Sequence, residues 1–268
     1  MRLLFCAFSA LLFISPAWAE PRRIVSLDYC ADQFVLALAD REQIAAVSRG
    51  ALRDDSYLRE RARGLRQTRG TLEETLALRP DLVVRNWGGP WDASEAYARF
   101  GVPVLQVGDA PTFAAARADL IDAAHTLAHA ERGAAIARDL DARLGRLRAS
   151  APAVRAPVMY VSAGGAVAGS GVLLDDVITV AGGRNVHTAA SWTVLPLERL
   201  IETPPALVVL GFFDHGRTRM NAWSPSRHPA MRRALAQART VSVPAPSIAC
   251  EAWFAIDAAE AVAAALRP

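Results

Sequence analysis

Residues 72–84 read LEETLALRPDLVV, and residues 197–209 read LERLIETPPALVV. Leu72 aligns with Leu197, Glu73 with Glu198 and Pro80 with Pro205, and both copies close on the same Leu-Val-Val. Each copy is a short amphipathic helix with an acid near its start, a proline that stops it and an apolar strand. An internal echo of this kind decides architecture before any local motif does. Either two helix-turn-strand units resemble one another by chance, or the chain has two similar halves, each presenting a glutamate at an equivalent place. Two halves joined by one connection would leave a cleft between them, and clefts are where ligands bind.

Outward from the echo, β-branched runs alternate with amphipathic segments, the pattern of βα units and mostly parallel sheets. The strands expected in the first half are Arg23–Leu27, Ile44–Val47, Leu82–Arg85 and Val102–Val107. In the second half they are Pro157–Val161, Leu207–Gly211 and Thr240–Val243. Between the two sets, Ala130 to Arg148 contains no proline, and Ile136, Leu140, Leu144 and Leu147 form one helical stripe. About 19 residues at roughly 1.5 Å each predict a rod of nearly 30 Å. Pro152 and Pro157 then end the pattern. The expected organisation is an α/β protein of two similar lobes, residues 20–129 and 150–268, joined by one long rigid helix at 130–149.

The chain begins with Arg2, an apolar run from Leu3 to Ile14, Pro16 and then Ala17-Trp18-Ala19. That order is the signature of a signal peptide over residues 1–19, cleaved near Ala19, and it predicts export to the periplasm. About a dozen apolar residues are too few for a membrane span, which needs roughly 20. The formal charge of +3 falls to +2 once Arg2 is removed. The basic residues are all arginine and are interspersed with acids, which excludes a nucleic-acid footprint. Cys30 and Cys250 survive processing, and an oxidising compartment would let them pair if geometry allowed.

Several stretches together carry a family resemblance. RIVSLDYCADQFVLALADREQIAAVS from Arg23, TLEETLALRPDLVV followed by NWGG, and GSGVLLDDVITVAGGRNV with SWTVLPLERL resemble class III periplasmic binding proteins, in order over nearly the whole mature chain. That family serves ABC importers of cobalamin, ferric siderophores and haem. The resemblance implies two α/β lobes on one rigid helix and only modest closure on the ligand. It implies a monomeric carrier with no catalytic residues and no resident cofactor or metal, whose ligand is a cobalt or iron chelate. Its partner would be an inner-membrane permease dimer with ATPase subunits. Glu73 and Glu198 fall where the family docks one glutamate per lobe into permease arginines, a directional charge-assisted contact. Each is also an acid in the first turn of a helix, where the helix dipole favours it.

For the ligand, the resemblance places Trp87 in the cleft, with Trp192, Trp253 and Phe254 on the facing lobe. Broad flat rings suit a corrin, porphyrin or siderophore. Gly88 and Gly89 would let backbone approach the ligand. Tyr29 and Cys30 follow the first strand, where loops at the carboxyl end of a parallel sheet face a crevice. For Cys30 and Cys250 three readings stay open: a disulfide, an axial metal ligand and two inert thiols. Arg49 and Arg85 are candidates for chelate carboxylates or phosphate, although in a lysine-free chain every solvated basic site must be arginine. His187 and His215 stand as either haem caps or solvated loop residues, while His125 and His129 read as helix faces.

Two other classes compete. An enzyme on a doubly wound fold would use the glycine-rich SAGGAVAGSG, residues 162–171, but this lacks the P-loop lysine, the dinucleotide spacing and the nucleophile-elbow pattern. It reads instead as a loop before a helix. A carrier of bare zinc or manganese needs clustered histidines and carboxylates, and the 5 histidines are scattered.

Overall fold

The computed structural model describes residues 20–194, 204–213 and 228–267. The first sheet contains β1 (Ile24–Ser26), β2 (Ile44–Ser48), β3 (Gln67–Thr68), β4 (Leu82–Arg85) and β5 (Val104–Gln106), in the order β3-β2-β1-β4-β5. Every neighbouring pair is parallel. The connections carry α1 (Tyr29–Leu38), α2 (Leu72–Ala77) and α3 (Ala93–Ala98), and α4 (Phe113–Thr126) follows β5. All three residues of β1 are buried, as are Leu82, Val83 and Val84 of β4, which is why these runs are continuously apolar rather than alternating.

The second sheet is mixed. It contains β6 (Ala156–Ser162), β7 (Ala166–Ala168), β8 (Gly183–Asn185), β9 (Trp192–Val194), β10 (Leu207–Gly211) and β11 (Thr240–Val243). The order is β11-β10-β6-β7-β9, with β8 also on β6. β6, β10, β11 and β8 pair parallel, while β7 is antiparallel to both β6 and β9. The remaining described helices are α6 (Leu173–Val180), α7 (Pro229–Gln237), α8 (Ala245–Ile248) and α9 (Ile256–Leu266). The segment 162–171, expected as a loop, is a tight turn into β7, with Gly165 at φ +86° and its N–H donating to the Ser162 carbonyl at 2.8 Å.

Between the sheets in the chain runs α5 (Ala130–Ala149). Of its stripe, Leu140, Leu144 and Leu147 are buried and Ile136 is half-buried. It packs on α4 of the first half and on α6 and α9 of the second. Arg143 fixes the last contact: its guanidinium donates to Asp257 at 2.6 Å and to the two Glu260 oxygens at 2.9 and 2.6 Å. Tyr57, from the first half, donates to the same Asp257 at 2.8 Å. Burial, aided by Asp257, pushes the Tyr57 phenol up to about 12, so it remains a donor at any physiological pH. One apolar core runs through both halves and includes Phe34, Leu120, Leu140, Tyr160, Ile178 and Phe254. Each such side chain removed from water contributes about 1.5–3 kcal/mol. Among the described residues, no helix is long and apolar enough to cross a membrane.

Candidate functional site

From β1 the chain steps outward through β2 and β3, then returns to lay β4 and β5 on the other side of β1. At such a switch point the loops leaving neighbouring strands diverge, opening a crevice beyond their carboxyl ends. A cleft of about 530 Å³ occupies that place. Its walls include Asp28 and Tyr29 after β1, Arg49 and Arg53 after β2, Arg69 after β3 and Trp87 after β4.

The Trp87 ring is 59% exposed, and it meets the half-buried Tyr29 ring edge-on at 5.9 Å between centroids. On Tyr29 lies the Arg53 guanidinium, 4.6 Å from the ring centroid. A two-toothed bond to Asp55, at 2.8 and 2.5 Å, holds that guanidinium flat. Burial, with Asp55 adding to it, pushes the Tyr29 phenol above its ordinary range. The phenol therefore keeps its proton and donates to the Ala249 carbonyl of the second half at 3.4 Å. Arg49 and Arg69 are exposed, and among the described residues neither side chain has an ion-pair partner. The cleft thus offers an open indole face beside the exposed guanidinium groups of Arg49 and Arg69, with that of Arg53 held on Asp55, a surface for a large flat solute with anionic oxygens at its edge.

One buried carboxylate holds this wall together. Asp28 is 1% exposed and caps α1, accepting from the N–H groups of Cys30 and Ala31 at 3.0 and 2.9 Å. Its second oxygen accepts from the N–H groups of Asn86, Trp87 and Gly88 at 2.7, 3.1 and 2.8 Å. Gly88 and Gly89 line the cleft and also permit this contact. A Cβ on Gly88 would lie 2.6 Å from the Leu27 carbonyl oxygen, and Gly89 has φ +80°.

The structure brings together Tyr29, Arg49 and Trp87 of the candidate residues, and it corrects several others. Cys30 and Cys250 form a disulfide with their Cα atoms 5.6 Å apart, so neither sulfur is a free metal ligand. Trp253 and Phe254 are core residues, 8% and 1% exposed, and not cleft walls. Trp253 meets Phe34 edge-on at 5.0 Å, and Phe254 stacks on Tyr57 at 4.4 Å. The disulfide ties this segment to the first half, and both rings are buried beside it. Trp192, on β9 of the second half, is 42% exposed and leans edge-on against Tyr160 at 5.8 Å. Arg85 is half-buried at the end of β4 and lies outside the cleft lining. His187 is not solvated: it is buried, with Nε2 2.7 Å from the Thr193 hydroxyl. Glu73 is exposed in the first turn of α2, whereas the adjacent Glu74 is engaged by the Arg69 N–H at 3.0 Å. Glu198, His215 and residues 1–19 lie outside the described residues. Among the described residues no group of three or more His, Cys, Asp or Glu is placed to hold a metal ion.

Sequence reasoning missed Asp28, Arg53 and Arg69. Asp28 had a signal, an aspartate between a strand and a helix being a standard cap position. Arg53 lies in the irregular segment after β2, and Arg69 follows β3, which at two residues leaves no periodicity to read.

The paired α/β architecture has a crevice at the switch point of its first sheet, and comparison with known proteins gives its family. The family described as periplasmic binding protein matches residues 24–216, and the chain belongs to it. Its fold is that of the class III members associated with ABC importers. A vitamin B12-binding protein of Pectobacterium carotovorum subsp. carotovorum (strain PC1) is 26% identical over 216 residues, which is 77% of each chain. The structure of the periplasmic heme binding protein HutB of Vibrio cholerae superimposes with a TM-score of 0.72 at 19% identity, covering 92% of this chain and 99% of that one. The periplasmic vitamin B12 binding protein BtuF of Vibrio cholerae gives 0.69 at 20% identity, covering 92% and 97%.

Proposed function

We propose that this chain captures a metal chelate, cobalamin or a ferric siderophore, in the cleft at β1–β4 and delivers it to an ABC permease in the inner membrane. The observation that carries this reading is the exposed Trp87 indole standing beside Tyr29, Arg49, Arg53 and Arg69. An indole face buries a large apolar ring system, and the guanidinium groups match carboxylate, phosphate or chelating oxygens at its edge. Haem, a flat ring with two carboxylates, suits the same wall and is the alternative cargo. A carrier of bare divalent ions gains no support from the cleft, whose lining is basic and aromatic. The test is titration with cyanocobalamin, ferrichrome and haemin, followed by tryptophan quenching and visible absorption. Saturable quenching by a chelate without response to free Zn²⁺ or Mn²⁺ is expected; a response to the free ions alone would remove the reading.

Docking to the permease falls to Glu73, the exposed acid of α2, together with its sequence counterpart Glu198. Alanine at both positions is expected to leave chelate affinity unchanged and to abolish stimulation of the transporter ATPase. Full stimulation by the double variant would refute the docking role.

A further inference from the structure

We propose that Asp28 is the positioning residue of the cleft, its buried carboxylate fixing the loop between β4 and α3 on the start of α1 and thereby setting the stance of Trp87. This rests on the cleft reading above. Capping of α1 accounts for one oxygen only, through the N–H groups of Cys30 and Ala31. The other oxygen collects three successive N–H groups from Asn86, Trp87 and Gly88, which lie 58 to 60 residues further along the chain. Consecutive N–H groups converging on one atom form a nest for a single negative charge. Bonds from neutral N–H groups to a carboxylate are roughly twice as strong as neutral ones, and a fully satisfied buried hub is rigid.

The rest of the loop is tied from the opposite side. The Asn86 amide donates to the Val107 carbonyl at 2.6 Å, and the Asn86 carbonyl accepts from the Gln106 amide at 2.5 Å. The backbone at residues 86–88 is thus held between the ends of β1 and β5, while the Trp87 ring remains 59% exposed over the cleft. Through Cys30 the same carboxylate abuts the disulfide to Cys250, so the indole is registered to the second half as well.

Two substitutions separate positioning from helix capping. Asp28→Ser keeps a cap for α1 but removes the second oxygen and with it the hold on the loop. Gly88→Ala leaves the carboxylate intact and pushes the loop away, because the new Cβ would meet the Leu27 carbonyl oxygen at 2.6 Å and the Asp28 Cβ at 2.9 Å. The readouts are taken on ligand-free protein, so failure to bind any chelate would count against the cleft reading and not against this inference. They are amide exchange by NMR and the anisotropy decay of Trp87, the latter obtained by difference from the matching Trp87→Phe background. In each variant that folds, amides 86–88 should exchange at least about tenfold faster and the Trp87 ring should gain fast motion. In Asp28→Ser the Cys30 and Ala31 amides should stay protected, a split that a purely structural helix cap would not produce. Loop amides as protected as in the native protein, or an unchanged Trp87 anisotropy, would overturn the proposal, and Gly88→Ala alone decides it if Asp28→Ser does not fold.

Discussion

The two halves hold the loops beyond their strands by different means. In the first, the loops after β1 and β4 are joined by one buried carboxylate accepting five N–H bonds, which leaves Trp87, Arg49 and Arg69 exposed at the cleft. In the second, Val172 at the N-cap of α6 provides no side-chain cap, and the segment around Cys250 to Ala255 is anchored by a disulfide and by burial of Trp253 and Phe254. A polar hub orders a wall without covering it, whereas apolar anchoring orders a segment by consuming its surface. Aromatic side chains therefore stand at an open cleft in one half and lie in the core in the other.

Breaking the apolar anchor should produce the largest effect. Phe254→Ala is expected to cost about 3–5 kcal/mol, since the ring is nearly fully buried and stacked on Tyr57, and urea unfolding would show it. Cutting the covalent tie comes next: Cys250→Ser should lower stability by roughly 2–4 kcal/mol, because it frees residues 220 apart in the chain, and reductant should lower the wild type but not the variant.

The polar half can be probed with Asp32, which is fully buried on α1 and accepts from the Ser48 N–H at 3.0 Å and its hydroxyl at 2.6 Å. Burial outweighs those bonds and raises its carboxyl to about 6. An unfolded aspartate ionises near pH ~3.9. The folded protein therefore keeps a proton that the unfolded chain releases, so this contribution is present below pH ~4 and lost as pH climbs through about 6. Asp32→Asn should abolish that decline, on the order of 2–3 kcal/mol, as read from urea midpoints between pH ~4 and ~7. The smallest effect is reserved for Glu73→Ala, an exposed site whose loss should change stability by less than about 0.5 kcal/mol in the same assay.

The long apolar strands and the α5 stripe were legible in the sequence because burial on both faces, or along one helical face, leaves a period that local residues alone encode. β3, β7, β8 and β9, of two or three residues each, are set by pairing across the sheet and carry no such period. Trp87 is reached through the family resemblance of the NWGG segment that follows a strand end, and it does line the cleft of the first half. Trp253 and Phe254 could not be separated from it by residue type, since an indole suits a ligand face and a core equally well. The three bonds from residues 86–88 to Asp28 and the Cys30–Cys250 pairing are long-range geometry, invisible until the chain is folded.

The central claim is that the cleft of the first half takes a chelate against the indole of Trp87 and the guanidinium groups beside it. Equilibrium dialysis of the purified protein with cyanocobalamin, ferrichrome and haemin, repeated for Trp87→Ala and Arg53→Ala, tests it most directly. Saturable binding of one chelate by the native protein, weakened about tenfold or more in Trp87→Ala, is the expected result. Binding of equal strength in both variants, or none of the three chelates retained by the native protein, would contradict it.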